Sequence, residues 1–363
     1  MTEFDFIRRY LQRQQPDRDV VLGIGDDAAI VRPRAGTDWC FSSDMLLAGR
    51  HFFADVAPAD LAHKVLAVNL SDMAAMGAAP RWVLLSAALP QLDEAWLQAF
   101  CDSLFALAAQ FGVTLIGGDT TRGDYVFSVT IAGELPQGMA LRRDAAQPGD
   151  DIWVSGRLGL AAAALNRHWQ TVQLPQEVFA QCERARLRPQ PRVALGRALL
   201  PFAHAAQDVS DGLAQDIGHI LKASGVGAEL WVDALPSLPD LRACLPLERW
   251  REFVLAGGDD YELVFTAAPA DRARVLAAAE QSTTAVTRVG RINDTGGLTM
   301  VAADGGEIQL TSLGFAFWLI SNRLFHGCCN GRCVFWASVS APGWRRWHRA
   351  HSARCRLCRW HLC

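Results

Sequence analysis

The sequence predicts two α/β domains built on mixed sheets. Three observations carry this. Strand-like apolar runs alternate with runs of helical period through residues 1–315. Several strand-like runs follow one another with no helix between them, which argues against purely parallel sheets. The length, 363 residues, favours two domains over one.

The elements follow in order. "MTEFDFIRRYLQRQ" reads as an amphipathic helix with Phe6, Ile7, Tyr10 and Leu11 on one side. Strand-like runs come at 20–24, 28–32 and 38–43. "PADLAHKVLAVNLSDMAAMG" (58–77) is a helix with Pro58 near its start and Gly77 at its end. "WVLLSAAL" is a strand, "DEAWLQAFCDSLFALAAQFG" a helix, and "VTLIGG" and "YVFSVTIAGEL" are strands. "PGD" at 148–150 is a turn before the strand "DIWVSG". An Arg-rich helical stretch covers 158–200. Then come strand "AAQDVS", helix "DGLAQDIGHILKASG", strand "AELWV", a helix near 247–255, strand "YELVFTAA", helix "DRARVLAAAE", and strands "TRVGRI" and "LTMVAA". The domain boundary falls near 140–150, giving 1–147 and 148–315.

Half the residues are apolar and 20% are charged, enough for a sizeable core. No run reaches the roughly 18 apolar residues of a membrane span. No basic region followed by an apolar stretch opens the chain, so a cytoplasmic protein is expected. Net charge is −3, but residues 316–363 hold eight arginines and no acid, leaving −11 for residues 1–315. An acidic body argues against nucleic acid as partner and suits divalent cations. Only two lysines occur, Lys64 and Lys222.

Residues 316–363 are foreign to the rest. They carry Cys328, Cys329, Cys333, Cys355, Cys358 and Cys363, six of the ten cysteines, and five of the twelve tryptophans. One reading is a zinc site, with Cys329 and Cys333 facing Cys355 and Cys358. The other is a frameshifted or disordered tail, since GC-rich DNA read out of frame yields Trp, Cys, Arg and His together. The tail is left out of the fold reading. The body cysteines, Cys40, Cys101, Cys182 and Cys244, are scattered and read as packing residues.

Acidic segments recur beside Gly, Ser or Thr after apolar runs. "GIGDDAA" has Asp26 and Asp27, "FSSDML" has Ser42, Ser43 and Asp44, and "NLSDMAAMG" has Asp72. "LIGGDTT" has Asp119, "QDVSDG" has Asp208, Ser210 and Asp211, and "GGDDYEL" has Asp259 and Asp260. Each alone reads as turn or cap chemistry, and Asp211 suits the cap of the helix after it. Together they are harder to explain that way. Asp72 lies inside a helical run, where Asp is disfavoured, with Asn69 three residues earlier on the same face. Hard oxygen ligands with little bulk around them suit Mg²⁺, which takes one or two carboxylates, keeps waters and bridges to phosphates. Many converging carboxylates point to several Mg²⁺ ions and a polyphosphate substrate.

No GxxxxGK[ST] loop is present, and no kinase HRD or DFG set. A nucleotide must then be held by metals, Gly-rich backbone and arginine, with Arg142 and Arg143 as candidates or as a solvated pair. His51, beside two phenylalanines, reads on its own as structural.

In order and spacing, "GIGDDAA", "SSDMLLAGRHF", "PADLAHKVLAVNLSDMAAMGA", "LIGGDTTRG", "DVSDGLAQDIGHI" and "GGDDYELVFT" resemble the thiamine-monophosphate kinases over residues 1–315. Those enzymes share a superfamily with aminoimidazole ribonucleotide synthetase, selenophosphate synthetase and a hydrogenase-maturation protein. The resemblance implies the two-domain aminoimidazole ribonucleotide synthetase-like fold, with 1–147 binding ATP and Mg²⁺ and pairing in a homodimer. It implies magnesium positions at Asp27, Ser42, Ser43, Asp44, Asp72, Asp119, Asp208 and Asp211. It implies ATP positions at Gly118, Asp119, Arg143 and Ser210, and substrate positions at His51, Asp259 and Phe315. The family often has Glu where Asp259 stands, so the reach is shorter here. It ends near an aromatic followed by Asp-His-Phe; Phe315 matches the aromatic, and the sequence departs from Ala316 on.

The implied reaction is ATP plus thiamine monophosphate giving ADP and thiamine diphosphate, the last step of thiamine diphosphate biosynthesis. The acceptor is a phosphate oxygen, already largely ionised at neutral pH. No general base and no covalent phospho-enzyme is therefore expected, and metal-assisted positioning carries the chemistry. Two rivals stand beside this: another enzyme of the superfamily, and a catalytically impaired nucleotide- or metal-binding homologue with an altered end. A selenophosphate synthetase would need a reactive Cys and Lys near the N-terminus, where the first are Cys40 and Lys64.

Overall fold

The computed structural model describes residues 3–14, 17–310 and 314. The chain opens on a helical turn, α1 (Glu3–Phe6), that continues as a five-residue π-helix (Ile7–Leu11). Phe6 and Tyr10, four apart, are both buried. The expected apolar stripe forms, although the winding widens within it. A two-stranded antiparallel ribbon follows, β1 (Val20–Leu22) with β2 (Ile30–Val31).

β3 (Thr37–Leu47), α2 (Pro58–Met76), β4 (Ala79–Leu89), α3 (Glu94–Phe111), β5 (Thr114–Arg122) and β6 (Val126–Pro136) build the first module. Its sheet runs β3-β6-β4-β5, with β4–β5 parallel and the other pairs antiparallel. Helix ends follow their local signals. Asp93 accepts the Trp96 N–H (2.7 Å) to cap α3, and α2 and α3 stop at Gly77 and Gly112 in the left-handed region.

β7 (Asp151–Ser155), α4 (Leu160–His168), α5 (Gln176–Leu187), α6 (Val193–Leu199), β8 (Ala205–Asp208), α7 (Leu213–Ser224) and β9 (Gly227–Trp231) open the second module. α8 (Pro239–Cys244), α9 (Leu247–Ala256), β10 (Leu263–Ala267), α10 (Arg272–Gln281), β11 (Val286–Asn293) and β12 (Gly297–Val301) complete it. The sheet order is β12-β9-β11-β7-β10-β8, and only β12–β9 is parallel. Both sheets are thus mixed, as the uninterrupted strand runs required.

Three sequence expectations change. The helical stretch 158–200 is three helices, because Pro175, Pro189 and Pro191 interrupt it. α8 is a six-residue helix too short to show a period. "FSSDML" and "LIGGDTT" are not turns but strand: pairing continues through Ser42↔Ile131 and Asp44↔Val129 on β6, and through Asp119↔Ser86 on β4.

Helix α2 lies between the two modules. Every residue from Leu61 to Ser71 on it is buried, as expected of a helix covered on all sides. One side packs on β3 and β6, the other on β8 and α6. The approach of α6 is close enough that a Cβ at Gly196 would collide with the Ala74 carbonyl. Four buried polar residues on α2 all find partners in other elements or loops. His63 Nε2 meets Pro189 O (2.9 Å), Lys64 donates to Asp259 (2.5 Å), Asn69 Oδ1 accepts the Asp44 N–H (3.1 Å) and Ser71 donates to Asp208 (2.8 Å). Away from α2, alternate positions of the first sheet expose Phe41 and Met45 on β3 and, across β6, Leu84 on β4. Among the described residues no helix is long and apolar enough to cross a membrane.

Candidate functional site

The acidic segments sort by which side of the first sheet they reach. On β3, Ser42 and Asp44 face α2, where Ser42 Oγ donates to Asp72 (2.6 Å) and the Asp44 N–H donates to Asn69. Asp208, at the end of β8, accepts from Ser71, one residue before Asp72. Three carboxylates from three elements therefore crowd one region between the modules. Burial, and then Asp72, pushes the Asp44 carboxyl up to about 7. Burial raises Asp72, and burial followed by Asp72 raises Asp208 well above the ordinary carboxylate range. The phenol of Tyr261 is raised by burial and by Asp259, Asp44, Asp208 and Asp72, so it stands amid the same field.

A cavity of about 420 Å³ opens on this cluster. Cys40, Met73 and Met76 form an apolar wall; Ser42, Asp72 and Asp208 form an acidic one; Arg142 and Arg143 stand at its edge. The two arginines differ. Arg142 is held by Asp144 in a bidentate pair (2.8 and 2.5 Å). Among the described residues the Arg143 guanidinium makes no hydrogen bond or ion pair, and its charge lowers Asp72. It is the arginine available to a ligand.

Other expected residues lie apart from the cluster. Ser43 points to the opposite face of the sheet, where it accepts from Thr130 Oγ1 (3.2 Å). One residue along a strand reverses the side chain. Asp119 is exposed on β5, opposite exposed Ser86. Gly118 before it has φ 151°, and a Cβ there would collide with the Leu85 carbonyl, so only glycine fits. Asp27 is exposed in the loop between β1 and β2, and its N–H donates to the Asp26 carboxylate (2.9 Å). Asp26 shapes the turn that presents Asp27.

The "DVSDG" loop corrects one expectation. Asp211 does not cap α7. The cap position falls on Gly212 at φ 122°, and Asp211 instead accepts from Gln215 Nε2 (2.9 Å). Asp216, which sequence reasoning missed, accepts the N–H groups of Ser210, Asp211 and Gly212 at 3.0, 3.0 and 3.1 Å and so organises the loop. Burial raises its carboxyl to about 7.

His51 and Asp259 are brought near each other by Lys64, the second residue that sequence reasoning missed. The Lys64 ammonium, 3% exposed, donates to Asp259 Oδ2 at 2.5 Å. The Leu47 N–H donates to His51 Nδ1 (3.1 Å), so that nitrogen acts as an acceptor, and burial followed by the Lys64 charge holds the imidazole below its ordinary range. Asp260 has a different task from Asp259: both its oxygens accept the Gly159 N–H (3.1 and 3.0 Å) at the start of α4. The signal that could have found Lys64 was its rarity, one of two lysines on an apolar helix. Phe315 and the tail cysteines lie outside the described residues.

Among the described residues no three His, Cys, Asp or Glu side chains form a ready-made metal cage. The donor chemistry nonetheless fits Mg²⁺. The buried carboxylates are hard oxygen donors, raised first by burial and then by one another, and a divalent ion that keeps waters and shares phosphate ligands needs only one or two from each element.

Comparison with known proteins shows the family and the fold. Residues 25–135 match the family model "AIR synthase related protein, N-terminal domain", and residues 147–303 match "AIR synthase related protein, C-terminal domain". The thiamine-monophosphate kinase of Salmonella typhimurium is 46% identical over 316 residues, covering 86% of this chain and 97% of that protein. A crystal structure of thiamine-monophosphate kinase from Stenotrophomonas maltophilia K279a superposes with TM-score 0.75 at 47% identity, over 84% of this chain and 96% of that one. A structure described as AaThiL complexed with AMPPCP and TMP superposes with TM-score 0.66 at 27% identity, over 86% and 95%.

Proposed function

This chain belongs to the thiamine-monophosphate kinase family, and from that premise we propose that it transfers the γ-phosphoryl group of ATP directly to the phosphate of thiamine monophosphate. It is a phosphotransferase whose acceptor is itself a phosphate. The observation that carries the reading is the cavity in which Ser42, Asp72 and Asp208 face Arg143. Buried acids with no ion pair among the described residues, beside an arginine that forms none either, suit a metal-bound polyphosphate better than a neutral ligand. The rival readings lack comparable support, since the relatives at this identity carry the kinase name.

Placement supports the roles of only some of the residues that the resemblance assigns. Asp44, Asp72 and Asp208, with Ser42, would hold Mg²⁺. The resemblance adds Asp27, Ser43, Asp119 and Asp211, which lie outside that cluster in this fold. The bound ions would offset repulsion between the two anionic phosphates. Arg143, Ser210, Gly118 and Asp119 would receive ATP, Arg143 by its guanidinium and Gly118 by allowing close backbone approach. His51, Asp259 and Phe315 would receive thiamine monophosphate. No side chain is assigned as base or nucleophile, because the acceptor oxygen is already ionised. Exposed Phe41, Met45 and Leu84 on one sheet face suit burial against a second copy, supporting a homodimer formed by 1–147. ATP as co-substrate accords with a cytoplasmic location.

A coupled ADP-release assay with thiamine monophosphate and Mg²⁺ tests the reading. Turnover dependent on both is expected. ATP binding without turnover would favour the impaired homologue. Stable protein labelling by γ-labelled ATP without acceptor would overturn direct transfer.

A further inference from the structure

Lys64 is costly where it stands. A buried ammonium loses several kcal/mol of hydration unless it is paired, and the chain otherwise uses arginine for its basic residues, with two lysines among 35 Lys and Arg. Its partner is the Asp259 carboxylate at 2.5 Å, from a segment 195 residues away. Asp259 is itself held in an uncommon backbone state. Its φ is 61°, and that of Tyr261 is 51°, both in the left-handed region, which Asp enters more readily than the bulkier Tyr. Two backbone bonds secure the strained loop to the acidic loop before α7: the Asp259 N–H to Ser210 O (2.7 Å) and the Tyr261 N–H to Val209 O (2.8 Å). The backbone of Asp259 is thus fixed from the nucleotide side, and its carboxylate from α2.

A structural ion pair alone does not account for this. Replacing a buried pair by apolar groups is often neutral or stabilising. The pair makes sense if the carboxylate direction matters. The compact ammonium fixes one carboxylate oxygen, Oδ2, and leaves Oδ1 to a ligand; a guanidinium fork would engage both. Lys64 also sits two helical turns before Asp72 on the same rigid, buried helix.

We propose that Lys64 is a positioning residue for the phosphate acceptor: it aims the Asp259 carboxylate beside His51, so that one helix sets both the acceptor contact and the metal-binding acid Asp72. This rests on the reading that His51 and Asp259 meet thiamine monophosphate.

The test is steady-state kinetics of Lys64→Met and Lys64→Arg, with each substrate varied separately and thermal melting followed in parallel. For Lys64→Met, KM for thiamine monophosphate is expected to rise by about tenfold or more while KM for ATP stays within about twofold. Lys64→Arg keeps the charge and the fold but engages both oxygens, so a smaller rise in the same KM alone is expected. If Lys64→Met does not fold, the arginine variant decides. Unchanged KM values in the folded variants, or equal rises for both substrates, would overturn the proposal. Absence of turnover in the wild-type protein would instead remove the functional reading beneath it.

Discussion

The chain contains three Asp-Asp pairs, and the two that lie in the acidic loop segments, 26/27 and 259/260, are solved differently. Asp26 and Asp27 stand exposed in a loop, while Asp259 and Asp260 are half-buried between the modules. In each pair one carboxylate serves the backbone: Asp26 takes the Asp27 N–H, and Asp260 takes the Gly159 N–H. The other is left for chemistry. Where the pair is exposed, water screens the repulsion, and among the described residues no cation pairs with Asp27. Where it is half-buried, the protein supplies Lys64 to Asp259. Adjacent acids here are a division of labour, and burial decides whether the counter-charge is built in or brought by the ligand.

Substitutions can break that comparison. The largest effect is expected at Asp27: Asp27→Asn should lower turnover by about 100-fold at fixed Mg²⁺, partly recovered by raising Mg²⁺, with little change in Tm. Asp26→Asn keeps an acceptor for the Asp27 N–H and should cost less than about threefold in the same assay; comparable losses at 26 and 27 would erase the division. Asp260→Ala should do the reverse of Asp27→Asn, removing about 1–2 kcal/mol of stability in denaturant titration while leaving KM for ATP nearly unchanged. The smallest effect concerns pH. Asp216 is raised from 3.8 to about 7 in the fold, so folding favours its protonated form. Its contribution is present below about pH 4 and is lost as pH rises toward about 7. Asp216→Asn should therefore make the decline of Tm between about pH 5 and pH 8 shallower; an unchanged slope would show that the other raised carboxylates dominate it.

Much of this was legible in the sequence. Apolar periodicity gave the mixed sheets, and the acidic segments beside small residues marked the site. Alternation along the run 38–43 already sets Ser42 and Ser43 on opposite faces, and β3 continuing to Leu47 adds Asp44 to the face of Ser42. Asp216 escaped notice because its three N–H partners converge only when Gly212 adopts φ 122°. Lys64 could be suspected from its rarity but not paired, since no local rule links residues 195 apart.

The placement of α2 also has a consequence in time. A ribosome makes Lys64 long before Asp259, and at about 5–20 residues per second the interval is about 10–40 s. Until β8 emerges, the nascent first module holds a central helix with one apolar side uncovered, and until residue 259 emerges its buried lysine lacks the Asp259 carboxylate. Exposed apolar surface of this kind is what makes partly synthesised chains prone to aggregate.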